Sequence, residues 1–346
     1  VNVVSLFNGH SGGNISLDAA GIKYKNYFSS EVDKYALKIE KHLYPQNIQM
    51  GDVRNIYYSN GVLVTDNGVF DIGKVGFFIG GSPCQSFSFA GKSNGMTTIE
   101  NIEIITLEQY LILKSENFQF EGYSYLFWEY MRILEEIKVD NPDVLFLLEN
   151  VKMNKGWNIV INDALGVEAV LINSSLVSAQ SRKRLYWTNI EGSELTLFGN
   201  CISQPKNKGL RLRDILEDQV NEKYYLSNKA IQGLDRRQLD SKKRGHGFGY
   251  NLEDGNSISK TILKRYGNDG KECLIKVDVA EACRITGRNP DNPKSRESGL
   301  PTVQMLEVNK DPDISNCLTT VQKDTVILET SSFKVRRLTP RECGRL

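Results

Sequence analysis

Several residue types and patterns are scarce in this 346-residue chain. Its three histidines, at 10, 42 and 246, are too few for a histidine-rich metal site, and no metal centre is expected. The six cysteines, at 84, 201, 273, 283, 317 and 343, include no C-x-x-C pair. That argues against a zinc ribbon and a disulfide scaffold, and makes a reducing, cytoplasmic setting the default. No apolar run approaches the roughly 18 residues a membrane span needs, and the longest, at 75–80, is only strand-sized. The first residues show neither the basic segment nor the long apolar segment of a signal peptide. What is present is ordinary: 40% hydrophobic and 25% charged residues, enough for a sizeable core and about two domains.

The net charge of +1 hides an asymmetry. Residues 1–199 carry a net −6 and residues 200–346 a net +7, as a catalytic domain followed by an anion-facing one would. The pattern of the sequence changes at the same place. Up to residue 80, strand-like runs at 3–7, 27–31, 48–53 and 75–79 alternate with helix-like stretches at 15–20 and 33–44. This order predicts an open, mostly parallel α/β sheet with helices on its faces. Residues 93–124 are polar and irregular and read as an excursion. A helix is expected over 126–137, a buried strand over 144–148, a helix over 157–165, and strands over 168–176 and 184–190. Beyond about 195, helical periodicity fades, and short β-type runs at 257–263, 317–321 and 326–328 sit among turn residues. This is the pattern of a smaller, loop-rich β domain. Residues 339–342 (TPRE) form a capping-box helix start, with only four residues after it. Together with a first residue that is not Met, this reads as a fragment of a longer protein.

Most of the chemistry-bearing residues sit where strands end. Residues 8–13 (NGHSGG) form a glycine-rich turn between the first strand and first helix, where backbone N–H groups can approach a ligand. The spacing is not G-x-G-x-x-G, so no pyrophosphate fingerprint is indicated. Glu31 ends the second strand and suits two ribose hydroxyls; Asp52 ends the third and suits an adenine amino group. Each acid alone would more often cap a helix or face solvent. In order, they fit a nucleoside-bearing cofactor without phosphates, such as S-adenosylmethionine. Cys84, in the loop 80–86 (GGSPCQS), lies just past a buried strand, at the edge where α/β sheets bind ligands. It is either a small buried hydrophobe or, as a thiolate, a nucleophile. Glu149 follows a buried apolar run; it is a salt-bridge partner or cap, or a partly desolvated acid able to hold a proton near neutrality. Arg182 and Arg184 should point to one face of an extended segment and Lys183 to the other. They form a basic edge strand or a site for a carbonyl, carboxylate or phosphate oxygen.

The ordered set LFNGHSGG (6–13), SSEVD (29–33), GDV (51–53), GGSPCQSFSFAGK (80–92), LLENV (147–151), AQSRKRLYW (179–187) and RRLTPRECGRL (336–346) resembles the C5-cytosine DNA methyltransferase family, in its phage and restriction–modification members. The resemblance spans the chain except 200–333. It implies a Rossmann-like, S-adenosylmethionine-dependent catalytic domain over 1–199, a loop-rich β target-recognition domain over 200–333, and a return segment over 334–346. Phe7, Gly9, Gly12, Gly13, Glu31, Val32, Asp52, Val53 and Pro83 match the cofactor set. Cys84 matches the nucleophile, Glu149 the partner of the base N3 atom, and Arg182 and Arg184 the arginines that position base and loop. Asn8 and His10 depart from the family's usual turn. A further family helix, which returns to the cofactor strand, is not within 1–346, so an open cofactor side and weak cofactor binding are expected of these residues alone.

The implied activity is methylation of cytosine C5 in double-stranded DNA, with the target base flipped out of the stack. The implied setting is a monomer in the cytoplasm of a bacterial or phage-infected cell, with no membrane and with a restriction endonuclease as a genetic rather than physical partner. Two alternatives share the core: a catalytically silent DNA-binding relic, and a tRNA cytosine-5 methyltransferase. An amino-methylating enzyme is disfavoured, because the D/N/S-P-P-Y/F/W motif is missing and direct attack by an amino group needs no cysteine.

Overall fold

A computed structural model describes residues 1–84, 87, 95–192, 194–196, 199–245, 249–263, 266, 271–288, 303–308 and 326–346. Its contacts divide the chain into two compact units, 1–173 with 183–205, and 174–182 with 206–346. Among the described residues no helix is long and apolar enough to cross a membrane.

The first unit opens as the sequence predicts: β1 (Asn2–Leu6), α1 (Gly12–Ala19), β2 (Asn26–Ser30) and α2 (Lys34–Leu43). Asp33 caps α2, its carboxylate accepting from the backbone N–H groups of Tyr35 and Ala36. The third strand is shorter than expected. β3 covers only Ile48–Gln49, because Gly51 turns the chain at φ +85° and Asp52 caps a 3-10 turn at Val53–Asn55. A three-stranded antiparallel meander then appears that the sequence reading did not foresee: β4 (Tyr57–Ser59), β5 (Val62–Thr65) and β6 (Gly68–Asp71). Its first turn is Asn60-Gly61, both at positive φ, the usual chemistry of a tight hairpin. β7 (Val75–Gly80) follows as predicted.

Within the stretch expected to be irregular lies α3 (Leu107–Ser115), capped by Thr106. Its apolar residues occupy several sides, so no helical period shows in the sequence. α4 (Phe127–Asp140), β8 (Leu145–Val151) and α5 (Lys155–Leu165) match expectation. β9 (Val170–Asn173) is shorter than predicted, since residues 174–176 coil into a 3-10 turn. After β10 (Gln180–Ser181), β11 (Lys183–Thr188) returns along the sheet.

The sheet order is β3-β2-β1-β7-β8-β11-β9. The first five strands are parallel, and β11 runs antiparallel to both its neighbours. Alternation along each strand divides the side chains between two faces. Val4, Leu6, Phe78, Phe146 and Leu148 join the large core under α3, α4 and α5. Val3 and Ile79 join a smaller cluster with Leu17 and Tyr27 on the other face.

A fully buried carboxylate, Glu129 on α4, organises the large core. It accepts from Arg132 Nε and Nη2 at 2.9 and 2.7 Å, from Lys114 Nζ at 2.5 Å, and from the Tyr110 hydroxyl. Burial and this carboxylate push the Tyr110 hydroxyl far above its ordinary range, so it stays a donor. Arg132 also donates to the Ile56 carbonyl at 2.7 Å and to Glu136 at 2.6 Å.

The hairpin of β12 (Glu194–Thr196) and β13 (Gly199–Cys201) ends the first unit. The second unit contains a helix that the sequence reading missed, α6 (Asn228–Lys243). It has few apolar positions, and Ile231 and Leu234 suffice to seat it on Leu274 and Val335. The strands are β14 (Leu252–Glu253), β15 (Ser259–Lys260), β16 (Leu274–Arg288), β17 (Val303–Val308) and β18 (Val326–Arg337). β16 pairs with β14, β17 and β18. The run expected over 317–321 lies outside the described residues. Residues 174–182 belong to this unit through backbone acceptors and through Ala179, buried with Leu212, Ile215 and Tyr266. The carbonyls of Leu176, Ala179 and Ser181 accept from Lys208 N, Ser259 N and Thr261 Oγ1, and β10 pairs with β15.

The predicted capping box is present at α7 (Pro340–Arg345): Thr339 Oγ1 accepts from Glu342 N, and Glu342 accepts from Thr339 N at 2.7 Å. Glu342 is buried and takes two further hydrogen bonds from Arg336, both at 2.8 Å, and one from Glu217 N at 2.7 Å. Burial pushes its carboxyl up, but these bonds outweigh burial and hold it below the ordinary carboxylate range. The sign follows: the stabilisation is complete above the unfolded carboxylate value and is lost as pH falls through the depressed folded value. Glu342→Gln should remove that acid-sensitive component and cost about 3–5 kcal/mol near neutrality, because Arg336 is left as an unpaired buried charge. Urea denaturation of the full chain across the acid range checks both; a variant as stable as the parent, with the same pH profile, would refute the assignment.

Candidate active site

The turn after β1 is held in an unusual backbone shape. Phe7, Gly9 and Ser11 all have positive φ, at 56°, 54° and 65°, a conformation costly for the two non-glycine residues. Buried Asn8 fixes it. Its N–H donates to the Ser30 carbonyl at 3.0 Å, and its side-chain oxygen accepts from Ser5 Oγ and the Tyr27 hydroxyl, each at 3.0 Å. Gly13 is required by the same tyrosine, whose hydroxyl would lie 2.2 Å from an added Cβ.

Glu31, at the end of β2, closes the turn. One carboxylate oxygen accepts from Gly9 N at 2.8 Å and the other from Val32 N and Asp33 N, both at 2.8 Å. The residue expected to meet a ribose is therefore also the brace between the glycine turn and the start of α2. Asp52 is likewise engaged. Its carboxylate accepts from Arg54 N at 2.9 Å and from Arg54 Nε at 3.0 and 3.1 Å. The Arg54 side chain holds the Asp52 carboxyl below the ordinary carboxylate range, against its partial burial.

Phe7, Glu31, Val32, Asp52, Val53 and Pro83 line one cavity of about 330 Å³. Tyr123, Leu126 and Arg54 complete it. Tyr123 lies in the stretch that reads as an excursion and Leu126 opens the helix expected over 126–137, so neither stands out in the sequence as a site residue. Gly12 and Gly13 line a neighbouring cavity of about 440 Å³, shared with Phe7, Gly80, Gly81 and Glu149. Gly9 lines neither and acts through its bond to Glu31.

The next edge of the site follows β7. Gly81 lies against Glu149, whose Oε2 would be 3.4 Å from an added Cβ. Asn150 ties the two loops together, its amide donating to Ser82 O and Ser82 Oγ at 3.2 and 3.0 Å. Cys84 is half-buried and opens a turn closed by Phe87 N donating to its carbonyl at 3.0 Å. Trp157 on α5 stands behind this turn. Phe87 packs edge-on to it at 6.1 Å, and Gly95, at φ +68°, lies so close that an added Cβ would fall 1.8 Å from the indole. Asn150, within the LLENV run, and Trp157, at the start of the expected helix 157–165, do not stand out in the sequence as site residues, because their partners lie 68 and about 60–70 residues away.

Of the two readings the sequence left open for Glu149, the salt-bridge partner is the one present. Its side chain is 34% exposed and forms an ion pair with Arg184 Nε at 2.8 Å. Antiparallel β11 makes this pair by setting Tyr186 opposite Glu149 and Arg184 opposite Val151. Lys183 is exposed while Arg182 and Arg184 are half-buried, as the strand alternation required. Arg182 lies in the second unit, and Arg184 in the first.

A family model described as C-5 cytosine-specific DNA methylase matches residues 1–346. The chain belongs to that family. The type II methyltransferase M1.ScrFI of Lactococcus lactis subsp. cremoris is 29% identical to this methylase over 309 residues, covering 82% of this chain and 68% of that protein. The orphan methyltransferase M.SPRI of Bacillus phage SPR is 24% identical, covering 100% of this chain and 88% of its own. The crystal structure of the S. pombe Dnmt2 methyltransferase superposes with a TM-score of 0.50 at 14% identity, over 81% of this chain and 76% of that one. This last likeness concerns the fold. The methylase uses S-adenosylmethionine. The 330 Å³ cavity suits such a group: it offers an aromatic ring, apolar Val53 and the carboxylates of Glu31 and Asp52, and its arginine is tied to Asp52 rather than open to a phosphate. Glu31→Ala should weaken S-adenosylmethionine binding by roughly 1.5–3 kcal/mol, the worth of hydrogen bonds to a charged group. Glu31→Gln should recover part of this, since one oxygen can still accept from Gly9. Calorimetric titration measures both, and an unchanged affinity in Glu31→Ala would remove it from the site.

Proposed function

We propose that this chain methylates cytosine C5 in duplex DNA through a covalent adduct at Cys84. The supporting observation is the convergence at one sheet edge of Cys84 beyond β7, Gly81 against the Glu149 carboxylate beyond it, and Arg184 paired to Glu149. Cytosine C5 is a poor nucleophile. Addition of the Cys84 thiolate forms an S–C6 bond and breaks the ring's aromaticity, moving an electron pair to C5. Glu149, hydrogen-bonded at N3, stabilises the charge developing in the ring, and Arg184, paired to it at 2.8 Å, holds it in place. Phe7, Glu31, Asp52 and Val53 would hold S-adenosylmethionine, which would supply an electrophilic methyl to C5 and leave as the thioether S-adenosylhomocysteine. Removal of the C5 proton then returns its electron pair to the ring and expels Cys84 as thiolate. Because none of this can occur in a stacked duplex, the base must leave the stack.

The same reading assigns residues 1–199 to the reaction and 200–333 to the choice of target sequence; the charge division at residue 199 supports it. Arg182 falls to base or loop positioning, on the strength of the Q-x-R-x-R pattern at 180–184.

Cys84→Ala should abolish transfer with cofactor binding retained, and 5-fluorocytosine DNA should trap a covalent adduct only when Cys84 is present. Bisulfite sequencing of DNA from expressing cells, with methylated tRNA assayed alongside, tests substrate and nucleophile together. Near-normal transfer by Cys84→Ala refutes the mechanism; transfer to tRNA alone refutes the substrate; no transfer by the parent chain favours the silent relic. Exchanging residues 200–333 for a relative's segment should change the methylated sequence, and an unchanged sequence would overturn the division of labour.

A further inference from the structure

We propose that the outward face of α6 binds the phosphate backbone of the DNA duplex; this rests on the reading of duplex DNA as substrate. The helix is seated by Ile231 and Leu234, on Leu274 and Val335. At 3.6 residues per turn the direction opposite that contact is occupied by Lys229, Arg236 and Lys243, spaced seven apart on one line, about 10 Å from each to the next. All three are exposed. Arg237 and Arg244, also exposed, lie on the adjoining flank, and Asp240 is the single acid in that arc. The other acid of the helix, Asp235, is turned to the far flank and accepts from the Tyr250 hydroxyl at 2.6 Å.

An exposed basic helix can simply be solvated. Two observations point to a ligand instead. The first is pairing. On α4 every cation has a carboxylate: Arg132 with Glu129 and Glu136, Lys138 with Glu135. On α6, among the described residues, Lys229, Arg236, Lys243 and Arg244 enter no ion pair, although Asp240 stands on the same arc. The second is Gly233, which sits in the middle of the same arc. Glycine inside a helix costs about 1 kcal/mol relative to alanine. Nothing in the fold needs it there: an added Cβ would meet only Arg237 Nη2, at 3.9 Å. A bare backbone between cations is what close approach to a phosphate chain requires. A membrane surface is disfavoured, because the apolar side of α6 is already used in packing.

The test is fluorescence anisotropy of a labelled duplex with the full 346-residue chain, titrated from about 50 to about 200 mM salt, with a structured RNA as competitor. Each phosphate contact contributes about 0.9 to the slope of log K against log salt. The triple variant Lys229→Ala, Arg236→Ala, Lys243→Ala should lower that slope by about 2–3 and weaken binding more than tenfold at the lower salt. Cofactor affinity and the circular dichroism spectrum should not change. The charge-keeping triple Lys229→Arg, Arg236→Lys, Lys243→Arg should restore both slope and affinity, which a packing defect would not. If the parent chain binds duplex and the alanine triple binds it with the same slope and affinity, the assignment of α6 fails while the DNA reading stands. If the parent chain does not bind duplex, both fail. If the triple loses affinity only for the RNA, the face belongs to RNA and the proposal is overturned.

Discussion

One buried carboxylate governs how the first unit can be assembled. Taking Glu129 out of water costs several kcal/mol, offset only because Arg132, Lys114 and the Tyr110 hydroxyl all point at it. Those partners come from α3 and α4, and Arg132 reaches on to the carbonyl of Ile56, just past the Asp52 turn, while stacking 4.7 Å over Tyr57. Three segments distant in sequence are thereby fixed to one point. The floor of the 330 Å³ cavity, from Asp52–Arg54 on one side to Leu126 on the other, inherits its position from that point.

The cavity wall follows a related logic. Its acids do not wait empty. Glu31 holds three backbone N–H groups, and Asp52 holds Arg54 and the start of a 3-10 turn. A carboxylate so engaged is fixed before any ligand arrives, and less ordering remains to be done on binding. The backbone strain at Phe7 and Ser11 is maintained in the same way, by Asn8, Tyr27 and Glu31 acting on the turn from three directions.

How far the sequence was legible follows from the range of the interactions. β1, α1, β2 and α2 depend on local periodicity and caps, and could be read directly. So could the position of Cys84 and Glu149 at the ends of buried strands. The Asn60-Gly61 turn was as plain a local signal, yet the strands of the meander it announces, three or four residues each, are short enough to pass for loop. α3 hid because its apolar residues surround it, and α6 because two apolar contacts sufficed to seat it. The ion pair of Glu149 with Arg184 and the seat of Gly95 on Trp157 depend on strand order and loop packing, which no local pattern encodes.

The attachment of residues 174–182 to the second unit bears on how this architecture can diversify. Leu176, Ala179 and Ser181 engage it with carbonyl oxygens, and β10 with a two-residue main-chain ladder. Peptide groups are the same whatever side chains they carry. New sequence after Pro205 could keep most of this attachment as long as its backbone followed the same path and left an apolar seat for Ala179, so the second unit can drift with little compensating change upstream. The attachment thus constrains the path of the chain and the pocket around Ala179, and leaves most other side chains free to change.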